Sequence, residues 1–387
     1  MALFYYTVPF IAVLTVVVFF HELGHFLIGR LCGAKVDVFS IGFGPELFHF
    51  TDRHNTRWRV AALPLGGYVK FHGDANAASV PDHQAVDGMR PSDREGALSS
   101  LSVWRRAAIV IAGPLANFIL AIVLLATMFW LNGRPIVHPQ IQEVLLQGAA
   151  AKSDLKTGDI ILTIDGRQIA ALDQVTEAVS ASVSGPVVVV VSRGDAQKTV
   201  LVDPTRTVTH TWLGDDRSAL LGIKIGASRN GIELRRYSVP GAVGAAVNEV
   251  ATIVKTTGVT IKKLIVGRES ARQLSGPIGI AQVSGEVAQA GIVPLIYLTA
   301  VLSVSIGLLN LLPIPLLDGG FLLFFAYEAI RGKALPERAQ MMGFRVGLTF
   351  VAVLSVFVAV NDITKILFPP NDQPGIHQTV APPQKAK

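Results

Sequence analysis

Two histidines and a glutamate in one apolar stretch have the types and spacing needed for metal-dependent hydrolysis. The chain reads His21-Glu22-Leu23-Gly24-His25, which has the form H-E-x-x-H. If the stretch is helical, the two imidazoles lie four residues apart on one face and can bind one zinc ion. The glutamate lies beside them, where it can accept a proton from water at the metal.

The surroundings of this motif strengthen that interpretation. No charged residue occurs from Met1 to Phe20. An ionisable group at bilayer depth costs ~2.5–3.5 kcal/mol on insertion scales, so a glutamate between two histidines there indicates function. A proton relay or a haem site is the chemical alternative. Two histidines four apart on one helix point the same way, so they do not bind opposite faces of one haem.

Four apolar stretches are long enough to cross a bilayer as helices of ~20 residues. Half of the residues are hydrophobic and 16% are charged, below the ~25% of an ordinary soluble domain. The single Cys32 excludes an intramolecular disulfide framework and a cysteine zinc cluster. The net charge of +6 is attributed to loops at a membrane. The sequence contains no long basic block of the kind that indicates nucleic-acid binding. We therefore predict an α-helical polytopic membrane protein with four transmembrane helices, at residues 8–29, 107–131, 291–317 and 346–366.

Lysine and arginine near the span ends predict the orientation. They flank the connection between the first two spans (Arg30, Lys35, Arg105, Arg106) and fill the one between the last two, residues 321–345. Both connections are predicted to be cytoplasmic, with both termini and residues 132–290 outside. The first span lacks a basic leader and a cleavage site, so we interpret it as a retained helix.

The orientation also suggests a third metal ligand. Spans one and three run in the same direction, so Asp318, late in the third span, lies at a depth similar to that of the histidines. Two histidines and a carboxylate, with a fourth position open for water, match the ligand pattern of catalytic zinc. An aspartate at a helix end near the membrane interface is the simpler alternative.

Between the first two spans, residues 35–73 alternate as strands do around a polar turn, which predicts a membrane-associated β-hairpin. Gly42-Phe43-Gly44-Pro45 interrupts its first strand. The edge of such a hairpin could pair with an extended peptide, although a plain cytosolic hairpin fits the pattern equally well. Residues 74–104 are polar and are predicted to form a flexible cytoplasmic segment.

Residues 132–205 are predicted to form a small extracytoplasmic α+β domain. Leu155 to Gly166 matches the L-x-x-G-D-x-I-x-x-I-D-G core of bacterial PDZ domains. Such a domain binds peptide tails by strand addition, or it only filters substrates by size. Residues 206–290 follow, with an amphipathic helix at 240–266 that rests either on lipid or on protein.

The segments that contain the second and third spans, assigned to 105–131 and 291–320, carry polar residues at bilayer depth. Gly113-Pro114-Leu115-Ala116-Asn117 predicts a kink, with Asn117 either packing between helices or facing the catalytic cavity. Pro313 and Pro315, between Asn310 and Asp318, must break the third span locally. The last span is followed by a polar tail at 369–387.

Together, H-E-x-x-H, G-P-x-x-N and N-x-x-P-x-P-x-x-D-G resemble the site-2 protease family of intramembrane zinc metalloproteases, peptidase family M50. The PDZ-like insertion is similar to the bacterial RseP branch, although we find one such domain where the best-known members have two. The resemblance implies that His21, His25 and Asp318 bind one Zn²⁺ and that Glu22 is the catalytic base. It also implies that Asn310 holds substrate and that Gly42 to Pro45 form the membrane-associated β-loop.

The implied function is cleavage within the transmembrane helix of a single-span, anti-sigma-factor-like protein, after another protease has cut it outside. This is regulated intramembrane proteolysis in a bacterial inner membrane. The implied partners are that substrate, the lipid bilayer and a peptide tail at the PDZ domain, with no nucleic acid. A non-proteolytic PDZ-bearing scaffold or an ion transporter is the alternative, which a Glu22→Gln variant would separate from an enzyme.

Overall fold

The computed structural model describes residues 2–74, 94, 96–145, 148–169, 172–182, 185–194, 196–211, 214–266 and 275–367. Most of the predicted flexible segment 74–104 and the polar tail 369–387 lie outside these residues. The described helices are α1 (Ala2–Leu31), α2 (Val103–Leu131), α3 (Leu172–Ala181), α4 (Val239–Ile265), α5 (Pro277–Ala290), α6 (Ile292–Asn310), α7 (Asp318–Arg331) and α8 (Glu337–Leu367). The described strands are β1 (Val36–Thr51), β2 (Arg57–Phe71), β3 (Arg134–Val144), β4 (Ile160–Ile164), β5 (Arg167–Gln168), β6 (Val187–Arg193), β7 (Ala196–Val202), β8 (Thr205–Thr211), β9 (Gly214–Leu220) and β10 (Ile223–Arg235).

These elements form two compact units. The first contains the described residues of 1–127, 240–262 and 269–370, and the second those of 128–239 and 263–268. Four helices of the described chain, α1, α2, α6 and α8, are long and apolar enough to cross a membrane. The shortest has 19 residues, and at a rise of 1.5 Å per residue it is about 28 Å long, close to the ~30 Å hydrocarbon core. The prediction of four apolar spans is confirmed.

The third and fourth helices differ from their predicted limits. The third ends at Asn310, not at 317. Pro313 and Pro315 lack backbone N–H groups, so the chain leaves the helix there and a new helix, α7, begins at Asp318. The fourth begins at Glu337 rather than at residue 346, because its charged first turns are helical too.

Glycines allow the helices of the first unit to pack backbone against backbone. A Cβ added at Gly24 of α1 would lie 2.8 Å from the Cβ of Ala116 on α2. One added at Gly307 of α6 would lie 3.1 Å from the carbonyl oxygen of Pro114 and 3.2 Å from the Cβ of Asn117. Small residues at such crossings permit the close approach that drives helix association in lipid. Helices α1 and α6 therefore both contact the G-P-x-x-N segment of α2.

The hairpin of β1 and β2 is antiparallel and is tied to the end of α1. Arg30 of α1 donates a hydrogen bond of 2.6 Å to Asp52 in the connection between the strands. Burial raises the pKa of the Asp52 carboxyl, but hydrogen bonds from the Thr56 backbone, Trp58 and Arg30 outweigh this and hold it well below its ordinary value. Below the connection, Phe39 of β1 stacks on Trp58 of β2 at 4.3 Å.

The sheet of the second unit has the order β10-β3-β4-β6-β7, with β5 paired to β4. Its core contains fully buried side chains from the strands and from α3, among them Ile161, Ile164, Val179, Val189 and Val191. The sheet does not end at the predicted domain boundary of 205. Strand β10 pairs with β3 from Ile223 opposite Val144 to Arg235 opposite Arg134, so that boundary lies inside the unit.

The Gly158-Asp159 pair of the PDZ-like motif has a structural role in this sheet. Asp159 is 1% exposed, and Arg193 of β6 donates hydrogen bonds of 2.7 Å to each of its carboxylate oxygens. The backbone N–H of Lys156 donates to the same carboxylate at 2.9 Å. Burial raises the pKa of Asp159, and the hydrogen bonds from Arg193 and Lys156 lower it further than burial raises it.

Helix α4 covers the predicted amphipathic segment. Ala242, Ala246 and Val250 are buried and recur every four residues, so this face packs against protein. Val243 and Val247 of the same helix are more than two-fifths exposed. One face of this helix therefore packs on protein, and contact of the exposed valines with lipid stays a prediction.

Candidate metal centre

Three residues predicted to bind a metal converge in the first unit. His21 and His25 lie on α1, and Asp318 is the first residue of α7. The Nε2 atom of His21 lies 3.3 Å from Asp318 Oδ2 and 3.3 Å from His25 Nε2, and His25 Nε2 lies 3.6 Å from Asp318 Oδ1. Both histidines are buried, and the Asp318 side chain is 16% exposed.

The protonation of the cluster fits a cation. Nδ1 of His25 lies 2.8 Å from the carbonyl oxygen of Ile109. A carbonyl only accepts, so the neutral ring carries its proton on Nδ1 and directs the Nε2 lone pair at the cluster. Asp318 Oδ2 is buried without a hydrogen-bond partner among the described residues. Converging lone pairs repel one another, and a bound cation removes this repulsion.

The spacing and chemistry of the cluster fit zinc in particular. In a tetrahedral zinc site with bonds of ~2.0–2.1 Å, neighbouring ligand atoms lie about 3.3–3.4 Å apart. The separations of 3.3 Å and 3.6 Å in the cluster are close to this value. Two imidazoles and a carboxylate are a ligand set of catalytic zinc, which leaves one position open.

Strand β2 lies against Glu22. The backbone of Val69 donates a hydrogen bond to the Glu22 carboxylate. A Cβ added at Gly67 would lie 3.0 Å from Glu22 Cγ and 2.9 Å from Val18 Cγ1. The hairpin thus holds the carboxylate in place. The adjacent glycines Gly66 and Gly67 are the only signal of this close approach in the sequence, and they do not identify the partner.

A cavity of about 730 Å³ begins at the cluster, and its lining includes His21, Glu22, His25 and Asp318. It also includes Arg106 of α2 and Glu328 of α7, which form an ion pair of 2.5 Å. The guanidinium of Arg106 lies 5.0 Å from the ring centroid of Phe325, which lines the cavity as well. The cavity therefore combines apolar walls with the predicted metal-binding residues, Glu22 and a buried ion pair.

The residues expected to contact substrate are placed differently from one another. Asn310 lines the cavity, with Nδ2 3.2 Å from His21 Nε2. Of Gly42, Phe43, Gly44 and Pro45, Phe43 contributes to the cavity wall, and it stacks on Tyr68 at 6.0 Å. Asn117 is fully buried behind His21, with its amide nitrogen 3.3 Å from Nδ1 of that ring. The described lining of the cavity does not include Asn117.

Sequence reasoning missed residues that shape the cluster from behind. A Cβ added at Gly113 of α2 would overlap the His25 imidazole, with three ring atoms within 2.9 Å. Gly319 and Gly320 allow the first turn of α7 to lie directly on the backbone of residues 311–315. Just before this helix, Leu316 has a φ of +93°. This conformation costs a residue with a side chain about 1–3 kcal/mol, and residues that adopt it cluster at functional sites.

Comparison with known proteins agrees with this geometry. The model of "Peptidase family M50" matches residues 9–354. A protein of Agrobacterium fabrum named as a candidate zinc metalloprotease is 44% identical over 363 residues, which cover 94% of this chain and 96% of that protein. The metalloprotease MmpA of Caulobacter vibrioides is 38% identical over 382 residues, covering 92% and 95% of the two chains. With the cluster of two histidines and an aspartate already in place, this match over nearly the whole length shows that the chain is a zinc metalloprotease of peptidase family M50, the site-2 protease family.

Proposed function

We propose that His21, His25 and Asp318 hold the zinc ion and that Glu22 is the base in hydrolysis of a peptide bond within a membrane-spanning segment. The observation that supports this most directly is the approach of both Nε2 atoms to the Asp318 carboxylate, at 3.3 and 3.6 Å. The histidines lie on a helix long and apolar enough to cross a membrane. A substrate that reaches this cluster is therefore itself a membrane segment.

When bound, zinc would polarise a carbonyl oxygen and lower the pKa of a bound water molecule to about 7. Glu22 accepts the proton from the attacking water and then delivers it to the leaving amine. The hydrogen bond from the Val69 backbone fixes the direction in which this carboxylate points. Asn310 lines the cavity beside His21, which supports a role for its amide in donating a hydrogen bond to the backbone of the substrate.

The substrate must be extended at the scissile bond, because a helix occupies its carbonyl groups with internal hydrogen bonds. Gly66, Gly67, Tyr68 and Val69 of β2 line the cavity. This supports pairing of an unwound substrate with the hairpin, as in strand addition. Leu47, Phe48 and Phe50 of β1 are more than half exposed, and their apolar character supports contact of the hairpin with the bilayer. Phe43, within Gly42 to Pro45, would contact the substrate side chains.

The wider role follows from the charge pattern and the family resemblance. We place the protein in a bacterial inner membrane, with both termini outside and the hairpin connection on the cytoplasmic side, following the arginine and lysine distribution. Its substrate is a single-span, anti-sigma-factor-like protein first cut outside, as in regulated intramembrane proteolysis. The sheet and helix α3 of the second unit are assigned to a PDZ domain, which either binds a peptide tail or filters substrates by size.

Two variants test the assignment of roles at the cluster. Purified enzyme, reconstituted with a model membrane peptide, should lose ~10²–10⁴-fold in cleavage rate with Glu22→Gln, the usual contribution of a general base, while its zinc content stays at one per chain. Asp318→Ala should lose zinc. The matched control is Glu249→Gln, a carboxylate outside the cavity lining that accepts from Tyr297, which should leave both properties unchanged. Cleavage at the wild-type rate by Glu22→Gln would show that another group is the base.

A further inference from the structure

We infer that Asn117 is a positioning residue, which fixes the ring of His21 by accepting a hydrogen bond from its Nδ1–H. This inference rests on the proposed role of His21 as a zinc ligand. It gives Asn117 a place behind the metal cluster instead of a place in contact with the substrate.

Asn117 of α2 is enclosed by α1 and α6. Its side chain is fully buried, and its amide nitrogen lies 3.3 Å from Nδ1 of His21 on α1. Its backbone oxygen accepts a hydrogen bond of 2.9 Å from Ser303 of α6. Gly307 of α6 leaves room for its Cβ, because a methyl group there would come within 3.2 Å. A buried amide in an apolar helix needs such partners to offset its desolvation.

The location of the His21 proton decides what this amide must do. Nε2 of His21 faces the Asp318 carboxylate at 3.3 Å, Nε2 of His25 at 3.3 Å and the Asn310 amide at 3.2 Å. A ring that directs a lone pair into this cluster carries its single proton on Nδ1. That proton needs an acceptor, and the –NH₂ group of an asparagine is not one.

The amide of Asn117 supplies the acceptor when its oxygen faces the ring. Its Oδ1 is buried and has no hydrogen-bond partner among the described residues. A half-turn of the amide about its terminal torsion exchanges oxygen and nitrogen without changing its shape. The oxygen then replaces the nitrogen near Nδ1, and the His21 N–H finds its acceptor. This single rotation thus gives the ring N–H an acceptor and gives the unpartnered oxygen a donor.

Helix α2 would then orient both histidines of α1. The carbonyl of Ile109 faces Nδ1 of His25 at 2.8 Å, and the amide of Asn117, two turns further along, faces Nδ1 of His21. Acceptors of this kind fix the tautomer and the direction of a metal-binding ring, and their loss costs 10–100-fold in metal affinity. The backbone serves His25, whereas His21 depends on a side chain and can therefore be tested by substitution.

The test compares zinc affinity and the state of the ring in full-length, detergent-purified protein. Asn117→Leu, similar in volume but without an acceptor, should raise the zinc Kd 10–100-fold in a competition titration with a chelator. Asn117→Asp retains an acceptor oxygen and should bring the Kd back to within about threefold of the wild type, as the carboxylate partners of zinc-bound histidines do. In ¹⁵N-histidine spectra of the zinc-loaded wild type, His21 should show a protonated Nδ1 that exchanges slowly with water. The control Asn361→Leu makes the same change at a buried asparagine of α8 and should leave the Kd unchanged.

The outcomes separate this inference from the ligand assignment. If Asn117→Leu binds zinc as tightly as the wild type while His21→Ala loses it, Asn117 does not orient the ring, although His21 remains a ligand. If His21→Ala also binds zinc normally, the ligand assignment itself is wrong. Should Asn117→Leu fail to fold, the wild-type spectrum decides: an unprotonated Nδ1 on His21 overturns the inference, and a protected N–H supports it.

Discussion

Replacing Gly113 with alanine would press a methyl group against the His25 imidazole. The added Cβ would have three ring atoms within 2.9 Å, the farthest of them Cδ2, whereas unbonded heavy atoms rest at about 3.5–4.0 Å. The nearest of them, Nε2, would lie 2.2 Å away, so the ring must retreat by about 1.3 Å to restore a contact of about 3.5 Å. Zinc–ligand distances tolerate only about 0.2 Å, and a misplacement of ~1 Å in an active site can cost ~10²-fold in rate. Movement of α2 away from α1 would not avoid this cost, because the Ile109 carbonyl would move with it.

We expect Gly113→Ala to weaken zinc binding and to lower kcat/KM for a model membrane peptide by about 100-fold. Zinc content after dialysis and cleavage in proteoliposomes measure the two effects. The matched control is Gly258→Ala in α4, where an added Cβ meets nothing within 4 Å. It should retain full activity and gain ~0.5–1 kcal/mol in stability, as glycine replacements within helices do. Wild-type zinc affinity in Gly113→Ala would mean that the His25 ring does not lie against α2, and the reasoning about the cluster would fail.

Three further changes test other contacts. Gly67→Ala should displace Glu22 from the Val69 N–H. We therefore expect kcat to fall at least ~10-fold while the zinc content stays the same. Both quantities are measured on the same enzyme sample. Asp159→Asn should destabilise the second unit by about 2–4 kcal/mol, since it leaves Arg193 without its buried partner. Because the pKa of Asp159 is lowered in the folded protein, its carboxylate contributes stability above about pH 3.9, and this contribution is lost as the pH falls further. Hydrogen exchange of the second unit should show this loss in the wild type but not in Asp159→Asn. Asp362→Ala should cost about 1–3 kcal/mol in thermal unfolding, because two backbone N–H groups at the start of α5 would lose their acceptor.

The convergence of the cluster could be predicted because its residue types are rare at bilayer depth. The i, i+4 spacing places His21 and His25 on one helix face without any tertiary knowledge. Asp318 needed one further step: the charge pattern gave spans one and three the same direction, which brought its depth to that of the histidines. The structure places its carboxylate 3.3 Å from His21 Nε2. Chemical rarity and topology together were sufficient for these three residues.

Contacts that depend on shape were not predictable in the same way. Gly113 and Gly67 are ordinary in composition, and only the positions of the opposing helix and strand show why a side chain is excluded there. The boundary at 205 was placed too early for a related reason. Strand β10 pairs with β3 across some eighty to one hundred residues of sequence, and local alternation carries no information about so distant a partner. Asn117 was expected to pack or to face the cavity, because the choice depends on which face of α2 meets His21.

The two functions of the H-E-x-x-H motif are supported by different parts of the fold. Helix α2 meets the rings of His21 and His25 through Asn117, Gly113 and the Ile109 carbonyl, whereas strand β2 meets Glu22 through Gly67 and the Val69 backbone. On the proposed assignment, the metal ligands are therefore oriented within the helices, and the base is positioned by the same strand that lines the cavity. A substrate that pairs with the hairpin would contact the element that aims the base. Correct placement of the substrate would then favour correct placement of Glu22, while the metal ligands stay unaffected.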